Sequence, residues 1–260
     1  MMCAMLEKVE ELLPDLLSGA RPAILFEAMR HAVMGGGKRI RPQLCLAAAV
    51  AVGGRMEDAV FPACAIELLH SYTLVHDDLP SMDNDTLRRG RPSVWAKYGE
   101  ATAILAGDAL QALAFRTAAR TPKNAAKVLA ALSEAAVGVV RGQTEELVSS
   151  ATLDAHPSAR CDFIYRHKTA DLFVAAAVMG AYAGDGTEGD VERLRTYALN
   201  LGLAFQHEDD LIDGDSPYPA EETRKRIEGL TAAAIAALEG LPGDTTTLSA
   251  LAERLAERKA

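Results

Sequence analysis

Apolar residues recur at helical spacing along almost the whole chain, and no segment shows the clear alternation of a strand. Leu6, Val9, Leu12, Leu13, Leu16 and Leu17 mark an opening amphipathic helix. A second helix is predicted over 24–33 and stops at Gly35-Gly36-Gly37. A third carries Pro42 in its first turn and runs to Gly53-Gly54. A long apolar helix over 58–76 ends at Asp77-Asp78, where Pro80 breaks it. Further helices are predicted over 100–119, 123–149, 159–183, 188–213, 220–238 and 245–258. Aromatic residues are only 5%, while Ala and Leu abound, which also favours helix over strand. With no repeat or low-complexity tract, the 260 residues predict one all-α domain spanning 1–260, a bundle of antiparallel helices around a central cavity.

Two acidic clusters interrupt this apolar pattern. The first is Asp77, Asp78 and Asp83 in LVHDDLPSMDND; the second is Asp209, Asp210 and Asp213 in FQHEDDLID. Adjacent carboxylates in apolar segments repel each other and lose hydration, so they need positive compensation. A hard divalent cation, Mg²⁺, supplies it through oxygen ligands and keeps coordination positions for phosphate oxygens. Asp209 and Asp213 share a helix face about 6 Å apart along the axis. Asp210 is turned one step away and is expected to act through water. Asp77 and Asp83 are six apart with Pro80 between them, so the helix end must be modified locally to bring Asp83 back.

The positive charge is unevenly placed. The chain carries a net charge of −9 and a pI near 5.2, which argues against a broad nucleic-acid-binding face. Yet Lys38, Arg39 and Arg41 form one basic knot behind the Gly35–Gly37 run, and Arg88, Arg89 and Arg91 form another just after the first acidic cluster. Basic knots in an acidic protein suit a small anion. Lys38 and Arg41 can point together, with Arg39 turned elsewhere, and the glycines allow close backbone approach. His70 lies one heptad before Asp77, and Lys168-Thr169 adds a cation and a hydroxyl to an apolar helix. Cys3, Cys45, Cys64 and Cys161 lack pairing or metal-ligand spacing, which fits a reducing compartment. The early acidic residues do not suit a signal peptide, and no apolar run reaches the roughly 20 residues that span a bilayer. A cytoplasmic location is expected.

Together these residues resemble the trans-isoprenyl diphosphate synthases (the polyprenyl synthetase family), most closely the bacterial farnesyl diphosphate synthases. Asp77, Asp78 and Asp83 match the family's DDxxxxD motif, and Asp209, Asp210 and Asp213 match its DDxxD motif. GGGKRIRP, LRRG, GQ at Gly142-Gln143, HKT at His167–Thr169 and FQ at Phe205-Gln206 fall in family order. The resemblance covers nearly the whole chain and implies an isoprenoid-synthase-type fold and a homodimer. It implies that the two triads hold Mg²⁺, three ions per active site with diphosphate bound, and clamp the diphosphate of an allylic substrate. Arg88 and Lys168 are expected to help bind that group. Gly37, Lys38, Arg41, His70 and Arg89 are expected to hold isopentenyl diphosphate. Thr169 and Gln206 match positions that stabilise the allylic cation. Tyr72, five residues before Asp77, is expected to block the tail path, which favours farnesyl over geranylgeranyl diphosphate as product.

The resemblance fails after the second triad. The family carries a long loop there, with a Gly-Lys pair and a further lysine, before a Tyr-Pro. Here Asp213 is followed by Gly214-Asp215-Ser216-Pro217-Tyr218-Pro219. Either the loop is deleted or a disordered stretch is missing from the sequence; the second is favoured, since a site with its other motifs intact would otherwise lack its lid. Glu208 also stands where a polar or basic residue is common. A geranylgeranyl synthase is the first alternative. A non-catalytic subunit of a heteromeric synthase would be expected to lose one triad. A terpene cyclase would not need the basic Gly-rich segment.

Overall fold

The structure is a computed structural model that describes residues 2–19, 21–150 and 157–256. It is an all-α bundle. Its helices are α1 (Met2–Leu16), α2 (Ala23–Val33), α3 (Ile40–Ala51), α4 (Val60–Asp77), α5 (Val94–Tyr98), α6 (Glu100–Ala118), α7 (Ala125–Ser150), α8 (Pro157–Ile164), α9 (Asp171–Ala183), α10 (Glu188–Asp213), α11 (Ala220–Ala237) and α12 (Thr246–Ala256). The predicted helices recur with boundary shifts of a few residues, and residues 257 and 258 of the last one lie outside the described residues. Among the described residues no helix is long and apolar enough to cross a membrane.

Helices α4 and α9 are the central pair. Both are apolar nearly all round, so they are buried on most faces rather than on one stripe. Helix α4 packs against α3, α6 and α9, and α9 packs against α3, α7 and α10. Phe173, Leu68, Leu69 and Ile66 are fully buried between these layers. Each such side chain contributes roughly 1.5–3 kcal/mol relative to exposure. The long α10 begins with a capping box, in which Thr187 accepts from the Asp190 N–H and Asp190 accepts from the Thr187 N–H.

Four features differ from the sequence expectation, the first being α5 at Val94–Tyr98, where no helix is predicted. A four-residue 3₁₀ turn, Met56–Ala59, precedes α4, which therefore starts at Val60. Residues Tyr165–Ala170 form a π-helical segment joining α8 to α9. A two-residue antiparallel ladder pairs Leu87 with Pro92 and Arg88 with Arg91. Arg89 and Gly90 form its turn, both at positive φ, as a type I′ hairpin requires. Strands this short carry no alternation to read.

Candidate active site

The first acidic cluster is built by the way α4 ends. Past Asp77 the chain turns back on itself: the Met82 N–H donates to the Leu79 carbonyl at 2.8 Å, and the Asp83 N–H donates to the Asp77 carbonyl at 2.9 Å. This turn brings Asp83 back to Asp77. Burial pushes the Asp77 carboxyl up to about 6; Lys168 opposes the rise, and Asp83 and Glu146 add to it. Asp78 has a different environment. It is only 2% exposed and takes the Arg88 guanidinium, with Nε at 2.8 Å. Arg88 also reaches Asp85 at 3.1 Å. Arg88 Nε and Nη2 reach the same oxygen of Asp78, so this carboxylate, expected among the metal ligands, is paired with a protein cation in this structure.

The second cluster shows the same division. The Tyr165 hydroxyl donates to one oxygen of Asp210, and the Gln206 amide donates to the other at 2.8 Å. Burial and this carboxylate push the Tyr165 phenol up. Asp210 thus has a protein donor on each oxygen, while Asp77 and Asp83 lie on α4's side and Asp209 and Asp213 on α10. Among the described residues no group of three or more His, Cys, Asp or Glu is close enough to hold a metal by itself. The all-oxygen donor set, split between two helix ends, fits Mg²⁺ whose remaining positions are filled by substrate oxygens and water.

The π segment links the two clusters. Lys168 pairs with Glu146 of α7, and Thr169 donates to Gln206 Oε1 at 2.6 Å. Backbones approach closely to allow this. A Cβ on Gly142 would lie 2.4 Å from the Lys168 nitrogen, and one on Gly202 would lie 2.7 Å from Ala170 Cα. Glu146 and Tyr165 were not singled out from the sequence. The signal for Glu146 was available: it follows Gln143 by three residues on an apolar helix.

The basic side is positioned by the glycine run and the hairpin. Arg39, at φ 48 before α3, turns inward and donates to Glu10 (2.8 Å), Glu67 (2.6 Å) and the Val33 carbonyl (2.8 Å). It is a structural pin, as its divergence from Lys38 and Arg41 suggested. Arg41 lies 4.9 Å from the Phe173 ring centre and donates to His70 Nε2 at 3.3 Å. Burial lowers Arg41 to about 10, with Glu67 opposing the shift. Burial and the neighbouring arginines hold His70 well below its ordinary value, so the ring is neutral at pH 7. With Nε2 accepting, the ring proton sits on Nδ1. That atom and Arg41 Nε are both buried without a partner. These two donors, one of them on the Arg41 guanidinium, each lack an acceptor, the kind of partner an anion supplies.

The hairpin is tied to α2, where His31 donates from Nε2 to the Pro92 carbonyl at 2.8 Å and accepts from Arg91 at Nδ1. Arg89 donates to the Gly36 carbonyl and packs over Gly37. A Cβ on Gly37 would lie 2.6 Å from Arg89 Nη1, and Gly37 sits at φ 132. Gly37→Ala is therefore expected to displace Arg89 from the Gly36 carbonyl. Lys38 lies exposed at the rim.

After Asp213, Gly214 at φ 80 caps α10, and the Asp215 N–H donates to the Asp210 carbonyl at 2.9 Å. Residues 214–219 then lead directly into α11, with Tyr218 beneath the Arg226 guanidinium at 3.9 Å. Glu208 is buried directly before Asp209.

Residues 22–253 match the family described as Polyprenyl synthetase, and the chain belongs to it. The chain is 44% identical over 213 residues to a chloroplastic geranylgeranyl pyrophosphate synthase of Capsicum annuum, covering 79% of this chain and 57% of that protein. It is 43% identical over 214 residues to a geranylgeranyl diphosphate synthase of Cyanophora paradoxa, covering 80% and 71%. The chain thus spans little more than half the length of the plant relatives. An apo FPP/GFPP synthase structure from Zymomonas mobilis superimposes with a TM-score of 0.92 at 34% identity, covering 98% of this chain and 97% of that one. A geranylgeranyl pyrophosphate synthetase from Pyrococcus horikoshii gives 0.91 at 28% identity, covering 99% and 98%.

Proposed function

We propose that the chain is a head-to-tail prenyltransferase that elongates an allylic diphosphate with isopentenyl diphosphate. The observation that carries this reading is the pairing of two acidic helix ends with a separate buried anion site at Arg41 and His70. Bound Mg²⁺, held by the two triads Asp77, Asp78 and Asp83 and Asp209, Asp210 and Asp213, would supply charge neutralisation for the leaving diphosphate. Lys168 and Arg88 add donors to the same group, Arg88 after exchanging Asp78 for phosphate oxygens. Arg41, His70 and Arg89 orient isopentenyl diphosphate without a dedicated metal. Thr169 and Gln206, locked to each other at 2.6 Å, present oxygen dipoles to the developing cation. The apolar walls of α4 and α9 exclude water from it. Incubation with isopentenyl diphosphate, dimethylallyl diphosphate and Mg²⁺ should yield longer prenyl diphosphates. Absence of elongation, in a chain whose sequence around Asp213 has been verified, would overturn the reading.

We read the product as geranylgeranyl diphosphate rather than the farnesyl diphosphate expected from the sequence. Curated relatives at 42% to 45% identity carry the geranylgeranyl name. One observation favours farnesyl: Tyr72 is half-buried five residues before Asp77, in edge-to-face contact with His76. Under either reading Tyr72 bounds the tail path, and Tyr72→Ala is expected to lengthen the product by at least one isoprene unit. Unchanged product masses would free Tyr72 of that role.

A second copy of the chain is the proposed partner. Ile104 and Leu105 on α6 are 45% and 60% exposed, and Val137 and Val140 on α7 are 61% and 48% exposed. These two helices touch, so their outward apolar side chains suit a shared interface. Sedimentation should give a dimer, and Leu105→Glu with Val137→Glu a monomer; a monomeric wild type would refute it. A reducing compartment suits the free Cys45, Cys64 and Cys161, and the location read from the sequence is the cytoplasm, although several relatives are named chloroplastic.

A further inference from the structure

Tyr72 is not held by the apolar core alone. One turn along α4, the His76 ring meets it edge to face, with centroids 5.0 Å apart and planes at 74°. His76 is itself fixed from the neighbouring helix. Its Nε2 donates to the Ile104 carbonyl of α6 at 3.0 Å. The ring also fills a notch that only a glycine leaves: a Cβ on Gly107 would lie 2.1 Å from His76 Nε2 and 2.3 Å from Cδ2. Gly107 is buried within α6, where a glycine weakens the helix relative to alanine by roughly 1 kcal/mol. Room for the imidazole accounts for it.

We propose that His76 is the positioning residue for Tyr72, wedging the phenol ring across the tail path and thereby setting product length, and that Gly107 makes the wedge possible. The inference rests on the reading of Tyr72 as the boundary of that path. Without the ring contact, Tyr72 is left with its hydrogen bond to Gln111 of α6, and its ring can tilt out of the path. Product length then shifts although no residue touching the tail has changed.

The test compares product-length distributions by mass spectrometry at matched conversion. His76→Ala and Gly107→Ala are each expected to raise the ratio of the next longer product to the wild-type product roughly 2- to 10-fold, the range that one edge-to-face aromatic contact supplies. His76→Phe, which keeps a ring but loses the bond to the Ile104 carbonyl, should fall between the wild type and His76→Ala. Because His76 acts through Tyr72, the double variant Tyr72→Ala/His76→Ala should make products no longer than Tyr72→Ala alone. His76 adjoins Asp77, so Gly107→Ala serves as the independent approach from α6, with thermal melting to confirm folding. If Tyr72→Ala lengthens the product while His76→Ala and Gly107→Ala keep the wild-type distribution, the wedge is wrong and the tail-path reading stands. Lengthening by His76→Ala that adds to that of Tyr72→Ala also overturns it. If Tyr72→Ala itself changes nothing, both fall.

Discussion

Asp77→Ala is expected to lower turnover by about 10³-fold or more while the helical fold is retained. Asp209→Ala should do the same from the opposite helix end. The loss follows from the geometry of the two clusters. Each substitution leaves its triad one carboxylate short. Stability should move the other way. Burial raises the Asp77 pKa to about 6, so its ionised form is disfavoured in the fold. That penalty is absent below the ordinary carboxylate range, grows as pH rises, and is complete above about pH 6. Removing the carboxyl removes the penalty, and the metal-free variant should melt no lower than the wild type at pH 7 to 8. Steady-state kinetics with a thermal melt check both halves. Near-normal turnover would sink the assignment of Asp77.

Arg39→Met is expected to destabilise the protein by about 3–5 kcal/mol, the range for removing one partner of a buried ion pair. Arg39 and Glu67 are 6% and 3% exposed, and their side chains meet at 2.6 Å. The same guanidinium satisfies the Val33 carbonyl and reaches Glu10, so one side chain joins α1, the end of α2, the start of α3 and α4. Its loss leaves Glu67 buried with its cation gone. Arg39→Met/Glu67→Met should recover much of the loss, since the uncompensated charge dominates the cost. Chemical denaturation measures both. A single-substitution cost below about 1 kcal/mol would mean that the pair behaves as a surface ion pair.

Much of this architecture was legible in the sequence because helix burial has a period. The α4 and α9 segments read as helices from unbroken apolar content, and Gly214 stands where α10 ends. The return of Asp83 to Asp77 was required by their spacing across Pro80, and the inward turn of Arg39 by its offset from Lys38 and Arg41. The differing roles of the aspartates were not legible. Arg88 reaches Asp78 only because a hairpin too short to show alternation sets its direction. Tyr165 was missed because a π segment changes which side chains share a face, and ordinary helical spacing does not report it.

The close approach at Gly142 and Gly202 has a consequence for how this region tolerates change. These two glycines form contacts where no side chain separates the π segment from α7 and α10, whereas a Cβ on Gly138 would meet the Asp171 carboxylate at the start of α9. An added methyl group cannot be absorbed by a rotamer change where it meets main chain. It must move the segment that carries Lys168 and Thr169. Positions without any functional group therefore sit under the same restriction as the reacting site itself, and the boundary of that site is drawn by backbone distance rather than by chemistry.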